Sequence, residues 1–216
     1  MNCLVWNCRG AAKKSFKMTL CNLTKKYKVG LAAVLEPIIS GFSAARKIKQ
    51  LGFKNYLIED AVGFMGGIWI CWNDDSFKIS LIEKINQFIH VLCTCSNGAS
   101  FLLTVVYGSP REEERNALWS DLRRISETIS VLWAVVGDFN EILSANEKKG
   151  GAPINVAKCA KFMEVLDDCN IMDLGCHGAK YTWRGSKWLH LERVFNRLDR
   201  IYANALWTIA FSEATV

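Results

Sequence analysis

Residues Val131–Asn146, VLWAVVGDFNEILSAN, decide how the chain is read. Val131 to Val136 is an apolar, Val-rich run of strand length, which predicts a strand buried on both faces. It breaks at Gly137 into Asp138-Phe139-Asn140. If the extended backbone continues past Gly137, Asp138 and Asn140 point to one side and Phe139 to the other. A carboxylate and an amide at the mouth of a buried strand suit a metal-bound phosphate. They equally suit a strand end followed by a helix cap, since Asp and Asn both cap well. The rest of the chain has to choose between the two.

The chain has 216 residues, half of them hydrophobic and 11% aromatic, enough for a sizeable core. No Gly/Ser/Pro-rich linker, internal repeat or low-complexity tract divides it, which predicts one domain over residues 1–216. The net charge is +6 and the pI about 8.8. That mild basicity is compatible with a polyanionic partner. The small clusters Lys13-Lys14 and Lys25-Lys26-Lys28 are accounted for as well by a solvated helix face; Lys148-Lys149 is a third. No signal peptide or membrane-spanning run is present, so the expectation is an intracellular chain, the nucleus included, with no membrane partner. The nine cysteines are then reduced, and they read as small core residues, because no pair of pairs completes a zinc site.

From the N-terminus, Asn2–Trp6 reads as a strand. An amphipathic surface helix follows, with Phe16, Leu20, Leu23 and Tyr27 at helical spacing and Gly30 ending it. Leu31–Leu35 is a second buried strand, with Glu36 at its end and Pro37 blocking further pairing. Ser43–Leu51 is a short helix. Five strands follow: 53–58, 67–72, 77–82, 88–94 and 100–107. Their turn signals are Asn73-Asp74-Asp75 and Ser96-Asn97-Gly98. Pro110 and Glu112–Glu114 open a helix whose stripe is Leu118, Leu122, Ile125 and Ile129. After the organising strand comes a helix with Cys159, Phe162, Met163 and Leu166 inward, closed by Asn170. Strands at 171–174 and 180–183 and a longer one at 191–201 complete the set, and Asn204 caps a last helical turn holding Trp207. A run of hairpin strands between βαβα and αβαββ predicts two packed sheets with helices outside, not one doubly wound sheet.

Polar groups stand at or just past the strand ends: Asn7, Glu36, Tyr107, Asp138 with Asn140, and Asp199 between Arg197 and Arg200. With WNCRG (6–10), VLEP (34–37), VYGSP (106–110), VGDFNEIL (136–143), EKKGGAP (147–153), MDLG (172–175), KYTWRG (180–185) and NRLDR (196–200), the chain resembles the endonuclease/exonuclease/phosphatase superfamily. The nearest likeness is to the endonuclease domain of plant non-LTR retrotransposon polyproteins. The resemblance spans nearly the whole chain. It implies an α/β fold, the four-layer αββα sandwich of the DNase I type, and divalent-metal-dependent nicking of DNA with no obligate protein partner. Carried over, Glu36 and Asn7 hold Mg²⁺, or Mn²⁺ in its place. Asp138 orients or deprotonates the attacking water. Asn140 and Tyr107 bind the phosphate, Asp199 orients a catalytic histidine, and Thr182 lies near the substrate.

Two departures stand out. Pro37 replaces the family's more usual Thr. The family's closing Ser-Asp-His strand does not occur in these 216 residues, and none of His90, His177 and His190 follows an Asp. The expectation is therefore a C-terminally truncated domain lacking its last strand, with impaired catalysis; the alternative is an inactive remnant retaining nucleic-acid affinity. A phosphatase of inositol lipids or small phosphoesters shares the fold, but WNCRG and GDFNEIL argue against it. Trp183 and Trp188 are candidate base-stacking rings, or rim packing.

Overall fold

A computed structural model describes residues 2–63, 65–73, 77–187, 192–214 and 216. In chain order the elements are β1 (Cys3–Asn7), α1 (Lys14–Lys26), β2 (Leu31–Leu35), α2 (Gly41–Gln50), β3 (Asn55–Glu59), β4 (Ile68–Trp72), β5 (Phe77–Ile85), β6 (Phe88–Cys95) and β7 (Ser100–Tyr107). They continue with α3 (Glu112–Ser126), β8 (Trp133–Asp138), a 3₁₀ turn (Ala145–Glu147), β9 (Lys148–Lys149), α4 (Val156–Asp168), β10 (Ile171–Asp173), β11 (Trp183–Arg184), β12 (Phe195–Asn196), β13 (Asp199–Asn204) and α5 (Ala205–Ala210). The strands form a four-stranded sheet β1-β2-β4-β3, a six-stranded sheet β10-β13-β8-β7-β6-β5 and a small sheet β11-β12-β9. This is the mixed α/β layout of two large sheets with flanking helices that the resemblance implies.

Two compact units are distinguished. The first comprises Met1–Tyr107 with Val135–Gly137, the second Gly108–Ala134 with Asp138–Val216. In the first, β1 and β2 run parallel while β2, β4 and β3 are antiparallel. All five residues of β2 and of β4 are buried, as their unbroken apolar sequences require. One face of this sheet receives α1 and α2: Phe16, Leu20, Ala44 and Ile48 pack against Val34, Trp69 and Cys71. The β5-β6-β7 meander packs on the sheet through β2, β3 and β4. Its β6–β7 turn closes at Gly98, at φ +85°, where Gly98 N donates to Cys95 O, as the Asn-Gly signal requires.

In the second unit α3 packs on α4 and α4 on β10. The core there is aromatic: the Phe139, Phe162 and Tyr202 rings meet at 5.0–6.1 Å between centroids, and Trp119 stacks on Phe162 at 4.7 Å. Asn155 caps α4 by accepting from Lys158 N, and Asn204 caps α5 by accepting from Trp207 N. Asn170 lies at φ +51° just past α4, in the left-handed conformation its position predicts.

Four expectations are corrected. Helix α1 ends at Lys26, with the turn made by Lys28 at φ +48° and not by Gly30. Within the described part of the long strand expected over 191–201, residues 192–194 are not in a strand, and the two-residue β12 is separated from β13 at Arg197-Leu198, where both residues are engaged by other elements. Met163 is exposed, and Val165 takes the inward place on α4. Five cysteines are buried, but Cys3 and Cys176 are exposed. All nine are free thiols. The Asp74-Asp75 part of one expected turn, Trp188 and His190 fall outside the described residues. Among those described, no helix is long and apolar enough to cross a membrane.

Candidate active site

The predicted site residues fall into two groups, one in each unit. In the first, Asn7 ends β1 opposite Leu35 of β2, so Glu36 is the next residue on the neighbouring strand. Past the strands the two chains still run together: Cys8 N donates to Leu35 O at 3.0 Å, Gly10 N to Glu36 O at 2.8 Å and Ala11 N to Pro37 O at 2.8 Å. Glu36 lies at φ +53°, a conformation costly for a residue with a Cβ. Its backbone is held there by Glu36 N donating to Gly67 O at 3.0 Å. Gly66 and Gly67 leave room for this. A Cβ on Gly66 would touch the Tyr107 ring at 3.6 Å, and one on Gly67 would press on the Pro37 ring at 3.1 Å. The same glycine pair thus adjoins Glu36-Pro37 and Tyr107, and Asn7, Glu36 and Tyr107 are brought to one end of the unit.

The Glu36 carboxylate has no hydrogen bond or salt bridge among the described residues. Asn7 Oδ1 accepts from Arg9 N at 3.2 Å. No cluster of three His, Cys, Asp or Glu side chains forms among the described residues. One uncommitted carboxylate beside one amide oxygen is a hard-oxygen donor set. It fits an ion such as Mg²⁺, which retains several waters, and does not fit a zinc cage.

In the second unit β8 stops at Asp138. Asp138 is buried, and its Oδ1 accepts from Asn140 N at 2.9 Å. Asn140 turns to φ +48°, and its Nδ2 donates to Gly108 O at 2.8 Å. Gly108 N donates in turn to Asp138 O at 2.7 Å. A Cβ on Gly108 would sit 2.6 Å from Phe139 O, so glycine is required in that clasp. Phe139 faces the aromatic core, and its N donates to Leu198 O. Phe139 packs in the core, but the extended backbone on which the expected alternation of Asp138, Phe139 and Asn140 depended ends at Asp138. Thr182 Oγ1 accepts from both Leu198 N and Asp199 N at 3.0 Å, which fixes Asp199 relative to the β11 strand. Asp138, Asn140, Thr182 and Asp199 are therefore joined by a continuous set of bonds through Phe139 and Leu198.

Sequence reasoning missed the ionic frame behind this group. Arg200 donates to Glu147 and, at 2.9 Å, to Asp173; Arg197 donates to Asp173 at 2.9 Å and lies 3.6 Å from Glu147. Glu147 Oε2 also accepts from Leu143 N at 2.7 Å. Burial opposes the Arg200 charge, but Glu147, Tyr202 and Asp173 together hold its pKa above the ordinary arginine value. Burial pushes the Tyr202 phenol up. Arg115 similarly ties Glu141, at 2.6 Å, to Ser109 O, at 2.7 Å. The signal was present in EKKGGAP, MDLG and NRLDR as motifs, but which acid meets which arginine is a tertiary fact. The glycines of EKKGGAP are explained too: side chains on Gly150 and Gly151 would collide with Arg193 O and the Val194 side chain. Beside Asn140 a cleft of about 230 Å³ is lined by Lys148, Asn155, Lys158, Asn196 and Leu198 among others. Asn196 Oδ1 is buried in this region without a hydrogen bond among the described residues. His90 is engaged elsewhere, with Nδ1 2.8 Å from Thr104 Oγ1 inside the β6–β7 pair.

Comparison with solved structures bears out the fold. The endonuclease domain of TRAS1, a telomere-specific non-LTR retrotransposon, superposes with a TM-score of 0.67 at 15% identity, covering 94% of this chain and 84% of that one. The AP endonuclease LMAP from Leishmania major gives 0.70 at 11% identity, covering 94% and 79%. The 3′ phosphatase NExo from Neisseria, bound to a product DNA hairpin, gives 0.66 at 16%, covering 94% and 86%. No curated protein matches the chain in sequence. A family model does, over residues 4–216, and the chain belongs to the Endonuclease/Exonuclease/phosphatase family.

Proposed function

We propose that this chain is a retroelement-derived, divalent-metal-dependent phosphodiesterase that nicks DNA. The observation that carries the reading is the Glu36 carboxylate, held at a strained backbone position beside Asn7 and, among the described residues, left without a protein partner. Such an arrangement costs stability and is accounted for by a cation. Glu36 and Asn7 would hold Mg²⁺, or Mn²⁺ in its place, which supplies charge neutralisation at the scissile phosphate and at the leaving oxygen. Asp138 would orient the attacking water and accept its proton; its burial and its bond from Asn140 N favour one fixed geometry. Asn140 uses one Nδ2 hydrogen on Gly108 O and has the second for a phosphate oxygen. The Tyr107 hydroxyl would donate to a phosphate oxygen. Thr182 would act as a positioning residue through the Asp199 amide, close to the substrate. A DNA substrate accords with the DNA-bound Neisseria relative and with the retrotransposon endonuclease.

The test is nicking of supercoiled plasmid with Mg²⁺, with and without chelator. Asp138→Ala and Glu36→Gln are each expected to lower the rate by several powers of ten. Cutting that survives either substitution or EDTA overturns the reading. The alternative is an inactive remnant that still binds nucleic acid, expected to hold a DNA duplex without cutting it. Turnover that depends on Glu36 would rule that reading out.

A further inference from the structure

We infer that the first unit carries a binding surface for double-stranded DNA at the end opposite Glu36, formed by Lys25, Lys26, Lys28, Lys49 and Lys54. The strand registers define the two ends of the four-stranded sheet. One end is the row Cys3, Leu31, Trp72, Asn55; the other is Asn7, Leu35, Ile68, Glu59. Asn2 Nδ2 donates to Tyr27 O at 2.6 Å and Gly30 N to Asn2 O at 2.9 Å, which ties the end of α1, with its lysines, to the Cys3 row. Lys54 precedes Asn55, and its N donates to Asn73 Oδ1, past the end of β4. Lys49 lies in the last turn of α2, which leads into β3 at the same end. All five side chains are exposed. None of them forms a salt bridge among the described residues.

The charge is segregated as well as exposed. Between Asn2 and Ile58 there are eleven Lys and Arg and a single acid, Glu36, a balance of +10 against +6 for the whole chain, so the remainder is at −4. Cations near helix C-termini offset the helix dipole, which accounts for Lys25, Lys26 and Lys49. It does not account for Lys28 and Lys54, which lie beyond the helices, or for the presence of a single acid in residues 2–58; Asp74 and Asp75, which follow Asn73 in sequence, lie outside the described residues. The buried stripes of α1 and α2 are spent on the sheet, and the exposed apolar residues left, Met18 on α1 and Phe42 on α2, are one to a helix, short of the continuous apolar face that membrane insertion needs. The ring among the α1 lysines, Tyr27, lies under Lys26 Nζ at 4.9 Å, a poor platform for unstacked bases. A row of hydrated cations on a rigid scaffold fits the phosphate backbone of a duplex, which presents about one charge per 1.7 Å. This inference stands apart from whether the chain cleaves.

The experiment measures binding of a fluorescein-labelled 20-bp duplex by anisotropy across a KCl series. EDTA is present and the background is Asp138→Asn, so no cleavage is required. Replacing all five lysines by Gln is expected to raise Kd at least ~30-fold near 0.1 M KCl. The slope of log Kd against log salt should fall by about 3 to 4.5, at roughly 0.9 for each phosphate the variant no longer neutralises. The control Lys78→Gln/Lys161→Gln, two exposed lysines elsewhere, should leave the slope unchanged. If the fivefold variant does not fold, Lys25→Gln/Lys28→Gln and Lys49→Gln/Lys54→Gln should each lower the slope by about 1.8. An unchanged slope, an equal effect per charge in the control, or a wild-type chain that does not bind the duplex overturns the inference. So does a variant that keeps duplex binding but loses phosphatidylserine vesicles. Lysine-dependent binding by a chain that never nicks leaves it intact and removes only the nuclease reading.

Discussion

At Gly137 an added Cβ would overlap the Val106 carbonyl oxygen, and the backbone there lies at φ +147°. No rotamer change relieves a clash with backbone. Gly137→Ala should therefore cost several kcal/mol, upwards of about 4, and leave little folded protein at 37 °C. Gly41→Ala is the contrast: its Cβ meets nothing within 4 Å, so only the φ of +57° is penalised, by about 1 kcal/mol. Equal denaturation midpoints for the two variants would contradict this reading of the strand. Thr182 makes a finer test. Its hydroxyl oxygen serves two backbone amides, so the near-isosteric Thr182→Val leaves both without that acceptor, at about 1 kcal/mol each. Thr182→Ser should restore most of the loss. If Val and Ser behave alike in thermal melts, the hydroxyl is not what fixes Asp199.

Among elements, the two-residue strands β9 and β12 are too short to hold themselves in place. What holds them is the frame of Arg197, Arg200, Glu147 and Asp173, linking the 3₁₀ turn, β10, the loop between β12 and β13, and β13 itself. Removing one charge from such a buried set leaves the others uncompensated. Glu147→Gln should thus cost about 3 kcal/mol or more, while Lys84→Met, which breaks a partly exposed pair with Glu59, should cost about 1 kcal/mol. Urea midpoints compare the two, and a Glu147 effect as small as that at Lys84 would show that the frame contributes nothing. The same elements explain what was legible beforehand. Strands β2, β4 and β7 are continuous apolar runs, and α1 and α3 carry plain 3.6-residue stripes, so sequence alone located them. The GDFN and RLDR motifs located Asp138, Asn140 and Asp199. The break at Arg197-Leu198 was not legible. Its apolar-polar pattern suits one long strand, and only the tertiary demand on Arg197 and on Leu198 O, the acceptor for Phe139 N, splits it. The family resemblance points to Glu36 as a metal ligand, but its left-handed backbone depends on Gly67, about thirty residues on, which no local pattern reveals.

For the molecule as a whole, buried thiols set a limit on alkaline stability. Cys8, Cys71, Cys93 and Cys169 are all buried. Burial pushes the Cys8 and Cys169 thiols from about 9 up to about 11, and drives Cys71 and Cys93 up further. The sign follows from which form the fold prefers. The folded chain favours the neutral thiol, so the stabilisation is fully present below the unfolded value near 9 and is lost as pH rises from 9 through 11. Cys8 has a particular stake, because its Sγ lies 3.6 Å from Glu36 O and the Glu36 charge itself raises its pKa. A thiolate at that point would repel the carboxylate on which cation binding is proposed to rest. The urea midpoint of the wild-type chain should therefore fall between about pH 8 and pH 10.5. The fall should be smaller in Cys8→Ala/Cys169→Ala, which has two fewer protons to lose. Lysine deprotonation is common to both proteins and cancels in the comparison. Parallel declines in the two would mean that these thiols ionise in the folded chain at their ordinary pH, and that the packing around them is looser than the buried surface implies.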